Sequence, residues 1–243
     1  IYCKRFKRGT AMKCLTIITA RGGSKRIPKK NIKDFCGKPI IAYSIEAALN
    51  SKIFDEVMVS TDSKEIAETA QNYGALVPFI RSAKNSDDFA TTYDVLLEVV
   101  NKYKELGKVF DYICCIYPTA PFVTAEKLKA AFNKFIESDA DSLIPVVKFS
   151  FPPQRGFVIN KENYLEYKWP ENKNKRSQDL ELIYHDAGQF YFHKAAVFDG
   201  EKKAQNSKII PFELEETEVQ DIDNITDWQL AELKFKFLHG ENL

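Results

Sequence analysis

The sequence predicts an α/β domain whose mostly parallel sheet carries helices on both faces. Short apolar runs such as CLTIIT and YICCI alternate with stretches that place apolar residues at helical spacing. The runs are near-continuously apolar, which marks strands covered on both sides and joined by crossover helices. A length of 243 residues with 44% hydrophobic content suits one such domain with a sizeable insertion.

The elements follow in order. Residues 1–11, IYCKRFKRGTA, lack the long apolar core of a signal peptide. Met12 reads as the natural start, and the residues before it as an extension outside a single domain of residues 12–243. Residues 14–19 read as the first strand, opening into a Gly-Gly loop. In residues 39–51, Ile41, Ile45, Ala48 and Leu49 share one helical face. Residues 56–62 are strand, and 63–74 a helix stopped by Gly74. Residues 75–80, ALVPFI, are expected to be strand, and 91–107 a helix stopped by Gly107. Residues 111–122 hold an apolar strand ending at Pro118. A helix at 124–138 and a strand at 142–147 complete the regular alternation.

The pattern breaks after Val147. Residues 148–186 are polar, aromatic and Pro-containing, with no clear period. They read as an extended insertion that packs on something other than its own core. Exposed-looking aromatics in residues 148–180 mark an interaction surface, and a homodimer is expected there. Strands are expected in residues 188–198 and 208–214, then a last helix at 225–238. Thr226 and Gln229 suit a capping box for it, with Ile225 and Leu230 as its staple.

A formal net charge of +1 argues against general nucleic-acid binding, which shows a wide basic face. No apolar stretch approaches the ~20 residues of a membrane span. The cysteines, Cys3, Cys14, Cys36, Cys114 and Cys115, include no CxxC pair. Cys14, Cys114 and Cys115 sit in apolar runs as small hydrophobes, which fits a reducing cytoplasm.

Against that neutral background one loop stands out. After the first strand, ARGGSKRIPKKN carries Arg21, Lys25, Arg26, Lys29 and Lys30, with no acid until Asp34. In an open parallel sheet, ligands sit at the carboxyl ends of the strands, where this loop lies. Gly22 and Gly23 let the backbone approach a ligand, and Arg21 offers a fork for phosphate oxygens. Clustered cations repel, so a multiply charged anion such as a triphosphate would relieve them. The alternative is a solvated basic loop. G-x-x-x-x-G-K-[ST] and G-x-G-x-x-G are both absent, which excludes a P-loop NTPase and argues against a dinucleotide site. Asp221 and Asp223, in VQDIDN, place two carboxylates on one side of an extended segment with Ile222 facing the core. They read as surface or capping acids, or as hard oxygen ligands for Mg2+ beside phosphates. Asp62 is a ribose or metal contact, or part of a helix start.

The loop ARGGSKRIPKKN, followed in order by VSTDSKEIAE, IRSAKNSDDFATT, YPTAPF and QDIDNITDWQLAE, resembles the CMP-sugar synthetases, cytidylyltransferases that activate nine-carbon nonulosonic acids. The resemblance covers nearly all the chain from Met12. It implies a Rossmann-like α/β fold with a protruding dimerisation segment. RSQDLELIYHDAGQFYF is similar to the pseudaminic acid branch. Sialic acid members carry Gln before PTSP and an Arg-Pro-Asn-Gly segment, where this chain has Tyr117 and HDAG at 185–188.

The implied reaction joins CTP to the sugar acid and releases pyrophosphate. By resemblance Arg21 and Lys30 bind the triphosphate and stabilise the leaving group. Ala20, Gly22, Gly23, Ser24 and Lys25 complete the phosphate loop, and Asn31, Arg81, Ala90 and Thr92 hold the cytidine. Asp221 and Asp223 become catalytic ligands of Mg2+, with Mn2+ as an alternative. Tyr117, Gln154, Arg155, Arg176, His185, Asp186 and Gln189 are candidates to read the sugar. Rival readings are an enzyme for legionaminic, neuraminic or deoxyoctulosonic acid, and a non-catalytic nucleotide-binding regulator.

Overall fold

The computed structural model describes residues 12–200 and 207–240. The expected extension at 1–11 lies outside the described residues. The main sheet is built from β1 (Cys14–Thr19), β4 (Glu56–Ser60), β5 (Tyr112–Ile116), β6 (Ser142–Lys148), β9 (Tyr184–Asp186), β10 (Phe190–Lys194) and β11 (Ile209–Glu213). Its order is β11-β6-β10-β5-β1-β4, with β9 continuing along β6. β1 pairs parallel with both β4 and β5. β10 runs antiparallel between β5 and β6, so the sheet is mixed around a parallel centre.

Side chains alternate between the two faces as the strand period demands. Cys14 and Ile18 pack on one face, against α1 (Ile40–Ser51), α2 (Lys64–Asn72) and α4 (Ala125–Glu137). Leu15 and Ile17 point to the other, against α3 (Thr92–Glu105) and Phe198. The same split places Cys114 on one side and Cys115 on the other. Both faces are therefore covered, as the apolar runs require.

Several expectations need correction. Residues 75–80 form no strand; Leu76 makes a single bridge to Met58. Pro78 has no N–H to continue the ladder, and the chain instead turns so that the Arg81 N–H reaches the Thr61 carbonyl at 2.9 Å. Ile41, Ile45 and Ala48 are buried on α1, but Leu49 is 39% exposed. The last helix, α5 (Ile225–Leu238), is capped one residue before its start. Asn224 Oδ1 accepts from the Thr226 and Asp227 N–H groups at 2.8 and 3.1 Å, and Asp227 closes the capping box. This shift leaves Ile225 and Leu230 exposed, so they form no staple.

The insertion leaves the sheet after β6 and makes its own hairpin, β7 (Phe157–Ile159) with β8 (Leu165–Tyr167). Phe151, Ile159, Tyr164 and Leu165 are largely exposed on it. Its end does return to the core, because β9 pairs antiparallel with β6. A short hairpin, β2 (Asp34–Phe35) with β3 (Lys38–Pro39), follows the basic loop.

That hairpin anchors a separate apolar cluster. Phe35 makes edge contacts with Tyr43, Trp228 and Phe235, at ring separations of 5.7, 5.4 and 5.5 Å. Ile27 from the basic loop and Ile222 from the acidic segment join the same cluster. Truncating a buried Phe costs about 3–5 kcal/mol through lost transfer energy and the cavity left behind. Phe35→Ala is expected to lower stability by that amount in urea denaturation, with the m-value unchanged. A change under ~1 kcal/mol would show that this cluster does not hold the two segments.

Candidate active site

The basic loop leaves the C-terminal end of β1 and is braced on its neighbours. The Ala20 N–H donates to the Ser60 carbonyl at 2.9 Å. Gly22 donates to Asp62 Oδ1 at 2.7 Å, and a Cβ there would stand 3.1 Å from Ser63 Cβ. A side chain at 22 would thus press on the start of α2, and the Gly22 N–H is engaged by the protein. A Cβ at Gly23 would meet nothing within 4 Å. Asp62 acts as the loop's brace, while Ser63 caps α2. Ser24 Oγ donates to the Ile27 carbonyl at 2.6 Å. Asn31, buried, donates through Nδ2 to the Arg21 carbonyl at 2.8 Å.

The loop opens on a cavity of about 450 Å³. Its cationic wall includes Arg21, Lys25, Arg26 and Lys30; Asp88, Asp221 and Asp223 face them. Tyr117, Pro118 and Thr119, beyond the end of β5, also line it. Loop cations, both carboxylates of the DID segment and Tyr117 are therefore brought together as expected. Ile222 between the two carboxylates is 1% exposed and packed in the Phe35 cluster.

The charges are matched across the cavity. Lys30 Nζ donates to the Ile222 carbonyl at 2.7 Å. Burial pulls the Lys30 ammonium below its ordinary pKa, opposed by the charges of Asp223 and Asp221. Arg26 Nη2 holds Asp223 Oδ1 at 2.8 Å. Arg21 Nη1 donates to Asp88 Oδ1 at 2.8 Å, and Lys25 Nζ to Asp88 Oδ2 at 2.6 Å. Burial pushes the Asp221 carboxyl above its usual range, and the Asp223 charge adds to it. Arg26 and Asp88 were not among the candidates. Arg26 was visible in the loop, but its partner is 197 positions away in the chain.

Other candidates lie elsewhere. Arg81 is buried beneath the loop, its Nε donating to Ser60 Oγ at 3.0 Å, and does not line the cavity. Ala90 sits in a turn, its N–H bonded to Asp87 Oδ1 at 2.8 Å. Thr92 lines a smaller adjoining cavity of about 220 Å³ with Asp186, Tyr191 and His193. Tyr117 lines both cavities. Gln189 is buried, its Nε2 donating to the Glu218 carbonyl at 2.6 Å. Gln154, Arg155 and Arg176 belong to the insertion and bond to Glu181, Ser177 and Asp179 within it. His185 packs on Phe149, with ring centroids 4.8 Å apart. None of these last five lines either cavity within one copy of the chain.

The family model described as cytidylyltransferase matches residues 15–234. A pseudaminic acid cytidylyltransferase of Campylobacter jejuni is 44% identical over 94% of this chain and 98% of its own. A CMP-N,N'-diacetyllegionaminic acid synthase of Legionella pneumophila is 33% identical over 91% of this chain and 95% of its own. A solved CMP:2-keto-3-deoxy-manno-octonic acid synthetase complexed with CTP shares the fold, with a TM-score of 0.68 at 19% identity, covering 94% of this chain and 99% of that one.

The raised pKa of Asp221 has a measurable consequence. A folded carboxyl that binds its proton more tightly than the unfolded one costs stability while ionised. That cost is full above the folded pKa and gone below the unfolded value. Asp221→Asn is therefore expected to raise Tm at pH 7, with the gain shrinking as pH falls through the carboxyl's raised range. A lower Tm at pH 7 would show that the ionised carboxylate is held by favourable contacts instead.

Proposed function

This chain belongs to the cytidylyltransferase family, and we propose that it joins CTP to a nonulosonic acid, pseudaminic acid, releasing pyrophosphate. The observation that carries the proposal is the convergence of Arg21, Lys25 and Lys30 with Asp221 and Asp223 on one cavity. A cationic wall suits a triphosphate, and two hard carboxylates suit a divalent cation beside it. A nucleotide-binding regulator needs the first and has little need of the second. The pseudaminic acid relative is 44% identical and the legionaminic one 33%, which supports the choice of sugar.

In the proposed reaction the anomeric hydroxyl oxygen bonds to the α-phosphorus. The bond to the bridging oxygen breaks in line, pyrophosphate leaves, and the hydroxyl proton passes to water. Such a transfer needs mainly positioning and charge neutralisation. Arg21 and Lys25 would hold the outer phosphates, and Lys30, fixed on the Ile222 carbonyl, the developing charge on the leaving group. Asn31, by fixing the Arg21 carbonyl, keeps the loop in shape for this task. Asp221 and Asp223 would hold Mg2+ or Mn2+, which when bound neutralises phosphate charge and acidifies the attacking hydroxyl. Among the described residues no group of three or more His, Cys, Asp or Glu could hold a metal ion. The two carboxylates therefore need phosphate oxygens and water to complete a shell, the usual arrangement for Mg2+.

The smaller cavity past Tyr117, with Asp186 at its edge, is the proposed seat of the sugar substituents. A second copy of the chain is the proposed cover for Phe151, Ile159, Tyr164 and Leu165, since an isolated two-stranded hairpin is at best marginal alone. Among the described residues no helix is long and apolar enough to cross a membrane. Cys14, Cys114 and Cys115 are buried and form no disulfide. Both facts are in keeping with a reaction in the cytoplasm.

The test is pyrophosphate release from CTP, UTP, ATP and GTP against pseudaminic, legionaminic, N-acetylneuraminic and deoxyoctulosonic acids, titrated with Mg2+. CTP with pseudaminic acid is expected to turn over fastest and only with metal. Asp221→Asn and Asp223→Asn should each need more of it. Comparable rates with UTP or ATP would sink the nucleotide assignment. Faster turnover of another acid would reassign the sugar, and superimposable metal titrations would move the metal away from these carboxylates. Light scattering on the same protein should give a dimer; a monomer at micromolar concentration would remove that part.

A further inference from the structure

Asp88 has no part in the reaction proposed above, yet it sits in the same cavity with its two oxygens on two cations assigned to phosphate. We propose that Asp88 is an internal stand-in for substrate phosphate, displaced when a polyphosphate binds Arg21 and Lys25, and that it sets the affinity for nucleotide. The inference rests on the phosphate role of Arg21 and Lys25.

The geometry is that of an anion already bound. One oxygen takes Arg21 Nη1 at 2.8 Å and the other takes Lys25 Nζ at 2.6 Å. Arg21 Nη1 also donates to the Asp87 carbonyl at 2.8 Å, so two successive residues of one segment address the same guanidinium. Without Asp88 the loop would present several like charges to each other. A carboxylate relieves this with one negative charge, whereas a polyphosphate brings several charges and more acceptor oxygens to the same donors.

Among the described residues, Arg21 and Lys25 are the side-chain partners of Asp88. The shape of its segment is set by Asp87, whose Oδ1 accepts from the Phe89 and Ala90 N–H groups at 2.9 and 2.8 Å. Phe89, next to Asp88, is 90% exposed, so no apolar packing holds the tip. The Lys25 side chain is 78% exposed and Arg21 39%, which makes both reachable by a solute. Exposed pairs of this kind contribute little to stability and are readily exchanged. The opposite possibility is that Asp88 stays in place and braces the segment carrying Ala90 and Thr92 against the phosphate loop. The two differ in sign: removing a competitor strengthens phosphate binding, and removing a brace weakens it.

The experiment is titration calorimetry of inorganic tripolyphosphate, and separately of CTP, into wild-type protein and Asp88→Asn, with folding checked by circular dichroism. Binding to the variant is expected to be about fivefold tighter, the scale of one exposed charge pair. Equal or weaker binding overturns the proposal. Hydrogen exchange on the wild type gives a readout that needs no variant. Amides in residues 87–91 should exchange faster once tripolyphosphate is bound, and unchanged or slower exchange also overturns it. Tripolyphosphate binding to neither protein would remove the phosphate role itself. Tightening without any cytidylyl transfer would leave this inference standing and count against the enzymatic reading alone.

Discussion

Ile222 is the point on which the site depends. Its side chain is buried with Ile27, Phe35 and Trp228, and its carbonyl accepts the Lys30 ammonium at 2.7 Å. With Ile222 turned into the cluster, Asp221 and Asp223 on either side of it both line the cavity. Because Ile27 lies in the same cluster, the basic loop is held against the acidic segment from below. One apolar cluster thus sets the spacing of two oppositely charged walls. The Cap of α5 at Asn224, immediately after Asp223, fixes where that segment ends and the helix begins.

The charges so placed are costly on their own. Lys30 and Asp221 are each shifted toward their neutral forms, first by burial. Their partners across the cavity reduce this cost without abolishing it, and a bound polyanion with a cation would reduce it further. Functional sites commonly concentrate such groups, and the stability they lose is made up in well-packed regions. Here the compensation is the doubly covered sheet, whose central strands β1 and β5 are almost wholly buried.

What was legible in the sequence was what local pattern encodes. The apolar runs at Cys14–Thr19 and Tyr112–Ile116 announced strands covered on both faces, and the glycines and acids of the two key segments announced their chemistry. The antiparallel course of β10 was not legible, because choice of neighbour is a tertiary matter that FYFHK does not carry. Residues 75–80 misled because β-branched and aromatic content outweighed Pro78, which removes a ladder donor. The cap is ambiguous in the sequence because Thr226 with Gln229 and Asn224 with Asp227 both have capping-box spacing, although Asn is the stronger cap. The pairings of Asp88 with Arg21 and Arg26 with Asp223 span 67 and 197 positions, beyond any periodic signal. The sugar-side candidates Gln154, Arg155 and Arg176 were drawn from a segment whose hydrogen bonds close on itself.

The claim that most of this rests on is that Lys30 serves chemistry at the cavity and not the fold alone. Its direct measurement is kcat/KM for CTP in Lys30→Ala, taken beside thermal and urea melts of the same protein. Loss of one preorganised stabilising group costs on the order of 10²–10³ in rate. The account predicts a fall of that size with the α/β core still cooperatively folded. Near-wild-type turnover by the folded variant would contradict it.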